Sequence, residues 1–365
     1  MSEQLRVGIV GTSWWTDQMH LPSLKSHAQV QVVAICGRNQ ARGQEIAAKY
    51  EIPQVFTDYQ EMIEQADLQA LVIAIPDDMH YPVAMAALDA GLHVLCEKPL
   101  AFDVQQAGEM TARAEAMGVK HMVLFTWRWL PHYQYFHELV TQGYVGRGYQ
   151  CHLQFLHGKW RSDEYSWKAD GSRSKGNLSI FASHMIDMAR WNFGEIVRVS
   201  AHLGVYVERA GIAGQALEPA NDAALLLVEF ASGMQGVIQS SSVAHIGDRG
   251  NELNIRVYGE AGTLESDVIF GGGEAGAQIR GVRQGEESIK PLPVPVRLQG
   301  NWDLLNYMEP FARQSVGPRL FVDAILEDRN LEPDFYDGLK VQEVIDAAVE
   351  SHERGVWMAV SELGS

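Results

Sequence analysis

Cysteine is scarce in this 365-residue chain: Cys36, Cys96 and Cys151 are the only three, and none forms a Cys-x-x-Cys pair. That pattern speaks against a disulfide framework and a zinc knuckle and fits a reducing, cytoplasmic setting. Cys36 and Cys96 fall inside apolar runs, where a free thiol acts as a small hydrophobe. Long apolar runs are missing as well. The stretch Ala70-Leu71-Val72-Ile73-Ala74-Ile75 is strand length and far short of a membrane span. No basic region followed by a long apolar segment opens the sequence, so no export signal is expected. Positive charge is in deficit, with 29 Lys and Arg against 46 Asp and Glu and a formal charge of -17. Nucleic acid and anionic membranes are therefore not expected as partners. An anionic cofactor remains compatible, because a phosphate site is local and uses backbone N–H groups with one or two arginines. The 13 histidines include no pair spaced four apart, and metal catalysis is not expected.

What is present is globular: 46% hydrophobic and 21% charged residues exclude a disordered chain. The length exceeds one ordinary core, and two domains are expected, 1–125 and 126–365. In the first, short apolar runs at Arg6–Val10, Val30–Cys36, Ala70–Ile75, Val94–Glu97 and Lys120–Phe125 read as strands. Helix-period segments at Ala41–Tyr50, Tyr59–Gln65, Tyr81–Ala90 and Val104–Met117 lie between them. Alternation of this kind implies βαβ units and a parallel sheet. Gly91 and Gly118 follow helices as left-handed C-terminal residues would.

After Thr126 the pattern changes. A helix around Pro131–Gln142 precedes strands at Gln150–Leu156, Val197–Glu208, Ala223–Phe230, Met234–Val243 and Leu253–Tyr258, with one long helix at Leu178–Phe193. Strands without intervening helices suggest an antiparallel sheet. The glycine- and proline-rich stretch Phe270–Gly300 reads as irregular. Trp302–Leu326 and Gly338–Val356 read as helical. The fold class expected is thus α/β, a doubly wound parallel sheet followed by a second α/β domain with an open, mainly antiparallel sheet.

Several short patterns carry chemistry. Gly8-x-x-Gly11-Thr12-Ser13-Trp14-Trp15-Thr16 joins a strand to a helix. The dinucleotide fingerprint wants glycine or small residues at three places there, for the turn, for pyrophosphate and for packing. Gly11 fills the first, and Ser13 and Thr16 stand at the others. At the end of the second strand an acid would bind the 2′-hydroxyl of NAD, and an arginine would accommodate the 2′-phosphate of NADP. The sequence reads Cys36-Gly37-Arg38-Asn39, which favours NADP. In Ile75-Pro76-Asp77-Asp78-Met79-His80, Asp78 is placed to cap a helix, and His80 to shape a cofactor pocket. Glu97-Lys98-Pro99 closes the apolar run Leu92–Cys96. Ligands of open α/β sheets sit beyond the carboxyl ends of the strands, so a lysine there, followed by a residue of fixed φ, is a candidate for proton transfer. His184 shares a helical face with Ile180 and Asp187, a position that suits a buried core histidine as well as a catalyst.

Together these residues resemble the Gfo/Idh/MocA family of NAD(P)-dependent oxidoreductases. The run from Ala87 through Glu97-Lys98-Pro99 to Ala101 is similar to the family signature. Trp127-Arg128, Gly143-Tyr144-Val145-Gly146, His184-x-x-Asp187-x-x-x-Trp191 and Phe335-Tyr336-Asp337-Gly338 are similar to its later landmarks. The resemblance implies a Rossmann domain and a C-terminal domain for substrate binding and oligomerisation, giving a homodimer or tetramer. Gly11, Thr12, Ser13 and Trp14 would line the pyrophosphate loop, and Arg38 would meet the adenosine end. Ile75, Pro76 and His80 would border the cofactor, and Glu97 and Lys98 would lie at the nicotinamide. Lys98 and His184 would face the substrate hydroxyl or ketone. Family members that oxidise sugars or cyclitols usually carry an aspartate where this chain has Ile180, so the Asp-Lys-His arrangement is incomplete. Asp187 is the residue placed to orient His184.

The activity so implied moves hydride between NADP(H), or less readily NAD(H), and a carbon bearing hydroxyl or ketone on a sugar-like or cyclitol substrate. A base working near neutral pH assists such a step. The reference lysine pKa of about 10.4 is too high, and desolvation beside oxidised nicotinamide would lower it. Trp127, Arg128, Trp160, Arg161, Trp167 and Lys168 suit a polar-aromatic wall for a sugar ring, and aromatic residues pack cores equally well. Ile180 and the glycine-poor loop also fit a non-catalytic dinucleotide- or sugar-sensing regulator that kept the fold.

Overall fold

The computed structural model describes residues 4–212, 215–273, 276–299 and 306–360. The chain divides into two compact units, Met1–Phe125 with Tyr307–Lys340, and Thr126–Asn306 with Val341–Ser365.

The first unit is built on six short strands: β1 Leu5–Val10, β2 Val30–Cys36, β3 Gln54–Phe56, β4 Ala70–Ile73, β5 His93–Cys96 and β6 His121–Val123. They form one sheet in the order β3-β2-β1-β4-β5-β6, and each neighbouring pair is parallel. This is the doubly wound order of the Rossmann fold. Parallel strands covered on both faces read as continuous apolar runs. Accordingly β4 is buried throughout, and Ile9, Ile35, Val72 and Leu95 are fully buried. Helices Gln40–Tyr50, Tyr59–Gln65 and Val104–Met117 start at Asn39, Asp58 and Asp103, whose carboxyl or amide oxygens accept from backbone N–H groups of the first turn. Gly91 and Gly118 take φ of +75° and +64°, as expected of helix ends. The helix His80–Asp89 follows a short 3-10 turn, Asp77–Met79, and its N-cap position is Met79, one residue after Asp78. β3 escapes a reading of the sequence because three residues show no periodicity.

A distant segment completes this unit. Helices Glu309–Arg313 and Pro318–Leu326 stand where one helix over Trp302–Leu326 is expected, and 302–305 lie outside the described residues. Asp323 Oδ1 lies 3.0 Å from His27 Nε2, and Lys120 pairs with Asp328 at 2.8 Å. The helix Phe335–Arg354 begins here, its Phe335 N donating to His121 Nδ1 at 3.1 Å.

In the second unit a sheet runs in the order β14-β13-β12-β11-β7-β10-β9-β8-β15. Its strands are β7 Gly148–His157, β8 Ile196–Gly204, β9 Ala223–Phe230, β10 Gln235–Ser241, β11 Asn251–Gly259, β12 Gly262–Phe270, β13 Gly276–Arg283, β14 Lys290–Pro291 and β15 Met358–Ala359. Only β7 and β10 run parallel among its pairings. Burial alternates along β9, with Ala224, Leu226 and Val228 inside and Leu225 and Leu227 each 46% exposed. The expected irregular stretch over Phe270–Gly300 is corrected: it holds β13, β14 and a short helix Val296–Gln299. One glycine of that stretch, Gly281, serves packing. A Cβ at Gly281 would lie 2.7 Å from the Tyr144 hydroxyl and 2.9 Å from Leu292. Residues 274–275 and 300 of that stretch lie outside the described residues. All three cysteines are free and buried. Burial, the main cause, and Asp58 push the Cys36 thiol up to about 11.

Candidate functional site

The carboxyl ends of the parallel strands are level in the first unit. Val10 pairs with Cys36 and Ile73, and Ile73 pairs with Cys96. The next residues, Gly11, Gly37, Ala74 and Glu97, therefore stand along one edge, at the switch point between β1 and β4 where ligands of this fold sit. Gly11 N donates to Cys36 O, Ala74 N to Val10 O and Glu97 N to Ile73 O, at 2.8, 2.8 and 2.9 Å.

Gly11 has φ +131°, and a Cβ there would fall 2.2 Å from Ala74 O. No other residue fits. A Cβ at Gly37 would meet Thr12 Cγ2 at 2.5 Å, so the β1 and β2 loops close on each other through two small residues. Ser13 Oγ accepts from Thr16 N at 3.2 Å and opens a helical stretch over 14–25, which includes a π-helical turn Thr16–His20. Trp14 is 63% exposed, whereas Thr16 is buried on the sheet side, the packing role of the third fingerprint position. Arg38 is exposed and meets no carboxylate among the described residues. A backbone lip without side-chain bulk, a capped helix start and an available guanidinium fit the phosphates of a dinucleotide.

Glu97 and Lys98 leave β5 in sequence and differ in environment. Glu97 is buried, and its Oε1 accepts from the Trp15 indole at 2.5 Å and lies 2.8 Å from His20 Nε2. Burial raises its carboxyl pKa, but the His20 hydrogen bond and charge, the Lys98 ammonium and Trp15 together outweigh burial, and the carboxyl sits below its ordinary range. Lys98 is half-buried. Its charge reaches Glu97, although strand alternation would send the two side chains to opposite faces. Sequence spacing does not point to Trp15 or His20, because they reach Glu97 from a helix 77 to 82 residues away. His80 is fully buried, with Nδ1 2.8 Å from Pro99 O and Nε2 3.0 Å from Ile75 O. It thus bridges the loops after β4 and β5 and braces the backbone next to Lys98, while Ile75 and Pro76 stay half-buried beside it.

The second unit carries the other candidates. His184 lies in the first turn of helix Ser183–Phe193, which follows a π-helical turn Leu178–Ala182 containing the buried Ile180. Its ring stacks on Trp127, centroids 4.1 Å apart and planes at 17°. Asp187 accepts a bidentate pair from Arg128, Nη2 to Oδ1 at 2.6 Å and Nε to Oδ2 at 3.0 Å, with both side chains buried. Arg128 thereby ties the Thr126–Trp129 turn, and with it Trp127, to the helix of His184. Trp160 packs against Phe181 and, edge-on, against His157. His157 is fully buried, and its pKa is pushed down to about 3 by burial first and then by the charges of Lys159 and Lys168. Among the described residues, no group of three or more His, Cys, Asp or Glu side chains is arranged to hold a metal ion, and no helix is long and apolar enough to cross a membrane.

Residues 5–125 match the model of an oxidoreductase family with an NAD-binding Rossmann fold, and 137–360 match that family's C-terminal alpha/beta domain. The chain belongs to the Gfo/Idh/MocA family. It is an oxidoreductase with an NAD(P)-binding fold, as the sequence leads one to expect. An uncharacterised oxidoreductase of Synechocystis is 30% identical over 99% of this chain and 98% of its own length. Levoglucosan dehydrogenase of Pseudarthrobacter phenanthrenivorans is 26% identical over 88% of this chain and 87% of its own. The NADP-dependent scyllo-inositol 2-dehydrogenase of Bacillus subtilis is 28% identical over 73% and 76%. A solved levoglucosan dehydrogenase, in complex with NADH and levoglucosan, superposes with a TM-score of 0.88 at 23% identity, covering 99% of this chain and 100% of that one. Gfo/Idh/MocA members thus include named dehydrogenases of sugar-like and cyclitol compounds with either nicotinamide cofactor.

Proposed function

We propose that this chain is an NADP-preferring dehydrogenase of the CH–OH group of a sugar-like or cyclitol substrate. The observation that carries the reading is Lys98 at the carboxyl end of β5, on the same strand-end edge as the Gly11 turn. Residues 1–125 take the dinucleotide, with Gly11, Thr12, Ser13 and Trp14 at the pyrophosphate, Arg38 at the 2′-phosphate, and Ile75, Pro76 and His80 lining the cofactor. The bound nicotinamide supplies or accepts the hydride. Lys98 holds or releases the hydroxyl proton, with Glu97 beside it fixing the local charge. The second unit holds the substrate, His184 donating to or accepting from its oxygen and Arg128, Trp160 and Asp187 shaping its place. Pairwise, Arg128 and Asp187 act by fixing Trp127 and the His184 helix.

The same half of the chain makes a homodimer or tetramer, a reading supported by the exposed Leu225 and Leu227 on one sheet face; light scattering tests it. Three buried thiols support a cytoplasmic setting. A screen of polyols and keto-sugars with NADP(H) and NAD(H) is the test of the activity. Turnover with at least one compound, faster at low NADP than at equal NAD, is expected; cofactor binding with no turnover across the panel overturns the reading. That second outcome is what a sensing regulator would give, and the burial of Ile180 in the family's aspartate position is the observation in its favour.

A further inference from the structure

The second unit contains a cationic pocket to which the roles assigned above give no part. A cavity of about 200 Å³ is walled by Gly158, Lys159, Arg161, Ala244, His245 and the turn at Gly247, and no carboxylate lines it. In a chain of net charge -17 such a lining is unexpected, since surface cations here ordinarily meet acids. Arg161 Nη1 donates to His245 Nδ1, which aims the guanidinium and leaves its other N–H groups without a carboxylate among the described residues. Lys159 has no carboxylate partner among them either. Its amine is pushed below the ordinary lysine range by partial withdrawal from water and then by the charge of Lys168. Both lysines also depress His157. Lys159 and Arg161 on one pocket wall would each gain a charge-assisted partner from an anion placed there.

The segment that bears these groups is held rigidly. Trp160 N donates to Ser242 O at 3.0 Å, Ala244 N to His157 O at 3.0 Å, and Lys159 N to His157 Nδ1 at 3.2 Å. Arg209 donates to the carbonyls of Trp160 and Ser162. That guanidinium is itself fixed by Asp222, Nη1 to Oδ1 at 2.9 Å, with both side chains buried. Asp222 also accepts from Tyr206 N and Val207 N. A buried ion pair that pins a loop fixes geometry rather than adding stability. A Cβ at Gly158 would fall 2.6 Å from Ala244 O, so the loop lies close against the segment after β10, and both residues line the pocket.

We propose that this pocket binds the carboxylate or phosphate of a small anionic ligand, received by the Lys159 ammonium and the fork of Arg161. Arginine pairs with either group through two parallel hydrogen bonds, and lysine adds a point charge. The inference deepens the function proposed above, on which it rests for the sugar-like class: the preferred substrate is an acidic sugar or a sugar phosphate, taken ahead of the neutral polyols and keto-sugars of that class.

Calorimetry on the full chain at constant ionic strength tests it, with D-glucuronate, D-glucose 6-phosphate, inorganic phosphate and D-glucose as probes. At least one anion should bind tenfold or more tighter than glucose, and the double variant Lys159→Gln, Arg161→Gln should lose that advantage with an unchanged melting temperature. Phosphate matching glucose 6-phosphate would identify a site for the free anion; the sugar phosphate or glucuronate binding tighter would identify a substrate group. Equal affinity for charged and neutral probes, no binding of any anion, or an advantage that survives the double variant would overturn the proposal. Binding needs no hydride transfer, so an anion preference without turnover would sink the proposed activity alone.

Discussion

Lys98 and Arg38 are the residues whose positions decide most, and both are legible in the sequence. Each follows a strand at a predictable place, because parallel strands end on one edge and the chemistry gathers there. Arg38 is expected to act only on the 2′-phosphate. Arg38→Gln should weaken NADPH roughly tenfold, about 1.4 kcal/mol, and leave NADH unchanged in fluorescence titration; an equal loss for both would remove its role. Arg128 looks from its sequence position like a substrate contact. The fold also gives it a buried carboxylate partner, and no spacing signals this, since Arg128 and Asp187 are 59 residues apart. Arg128→Met strands Asp187 in the interior, and about 3–5 kcal/mol of stability should be lost in urea unfolding. The double variant Arg128→Met, Asp187→Leu should recover much of it, because the unpaired charge is gone. The Glu97–His20–Trp15 contact is equally hidden: nothing in the spacing of a histidine and a tryptophan in one helix says which strand end they reach.

Elements are legible to the degree that their burial is simple. β4 and β5, covered on both faces, read as unbroken apolar runs, and the capped helices Tyr59–Gln65 and Val104–Met117 have the bounds their spacing suggests. β12 and β13 escape for a physical reason. Their open face carries Glu265, Asp267 and Arg280, paired across strands at 2.8 to 3.0 Å, and glycine stands where apolar alternation would show. The long helix at Leu178–Phe193 is visible in the sequence, but its π-helical first turn is not, because a widened turn leaves the apolar spacing nearly unchanged. On the proposed reading, cofactor binding depends on the β1 turn. Gly11→Ala adds a Cβ into the Ala74 carbonyl at a φ few side chains adopt. It should cost at least ~2 kcal/mol in denaturant unfolding and abolish binding of both nicotinamide cofactors. Unchanged binding would mean that this turn is not the pyrophosphate loop.

For the whole molecule, the fold class is accessible from alternation alone, whereas the return of residues 307–340 to the first unit is not. Helical periodicity in Pro318–Leu326 states that a face is buried; it does not name the sheet. Stability against pH is also a property of the whole chain. Burial leaves His132 at about 4, and burial with Lys159 and Lys168 leaves His157 at about 3. Both stay neutral when folded, while the unfolded chain protonates them near 6.5. Their contribution is therefore complete above about pH 6.5 and is withdrawn as pH falls from there toward 4 and 3. Glu97, depressed when folded, adds a loss at still lower pH, as pH falls below the unfolded value of about 4.3. Melting temperature should decline from pH 6.5 to 4, and less steeply in His157→Gln; a flat profile would place these imidazoles in water.

On the proposed reading, the Lys98 amine exchanges the proton that accompanies hydride transfer. Single-turnover mixing of the Lys98→Met protein with NADP and the best compound from the polyol screen tests it most directly, nicotinamide fluorescence reporting both binding and reduction. Intact cofactor affinity with reduction slower by at least about a thousandfold, roughly 4 kcal/mol of barrier, is the expected result. Reduction within a few-fold of the unaltered protein would contradict the account.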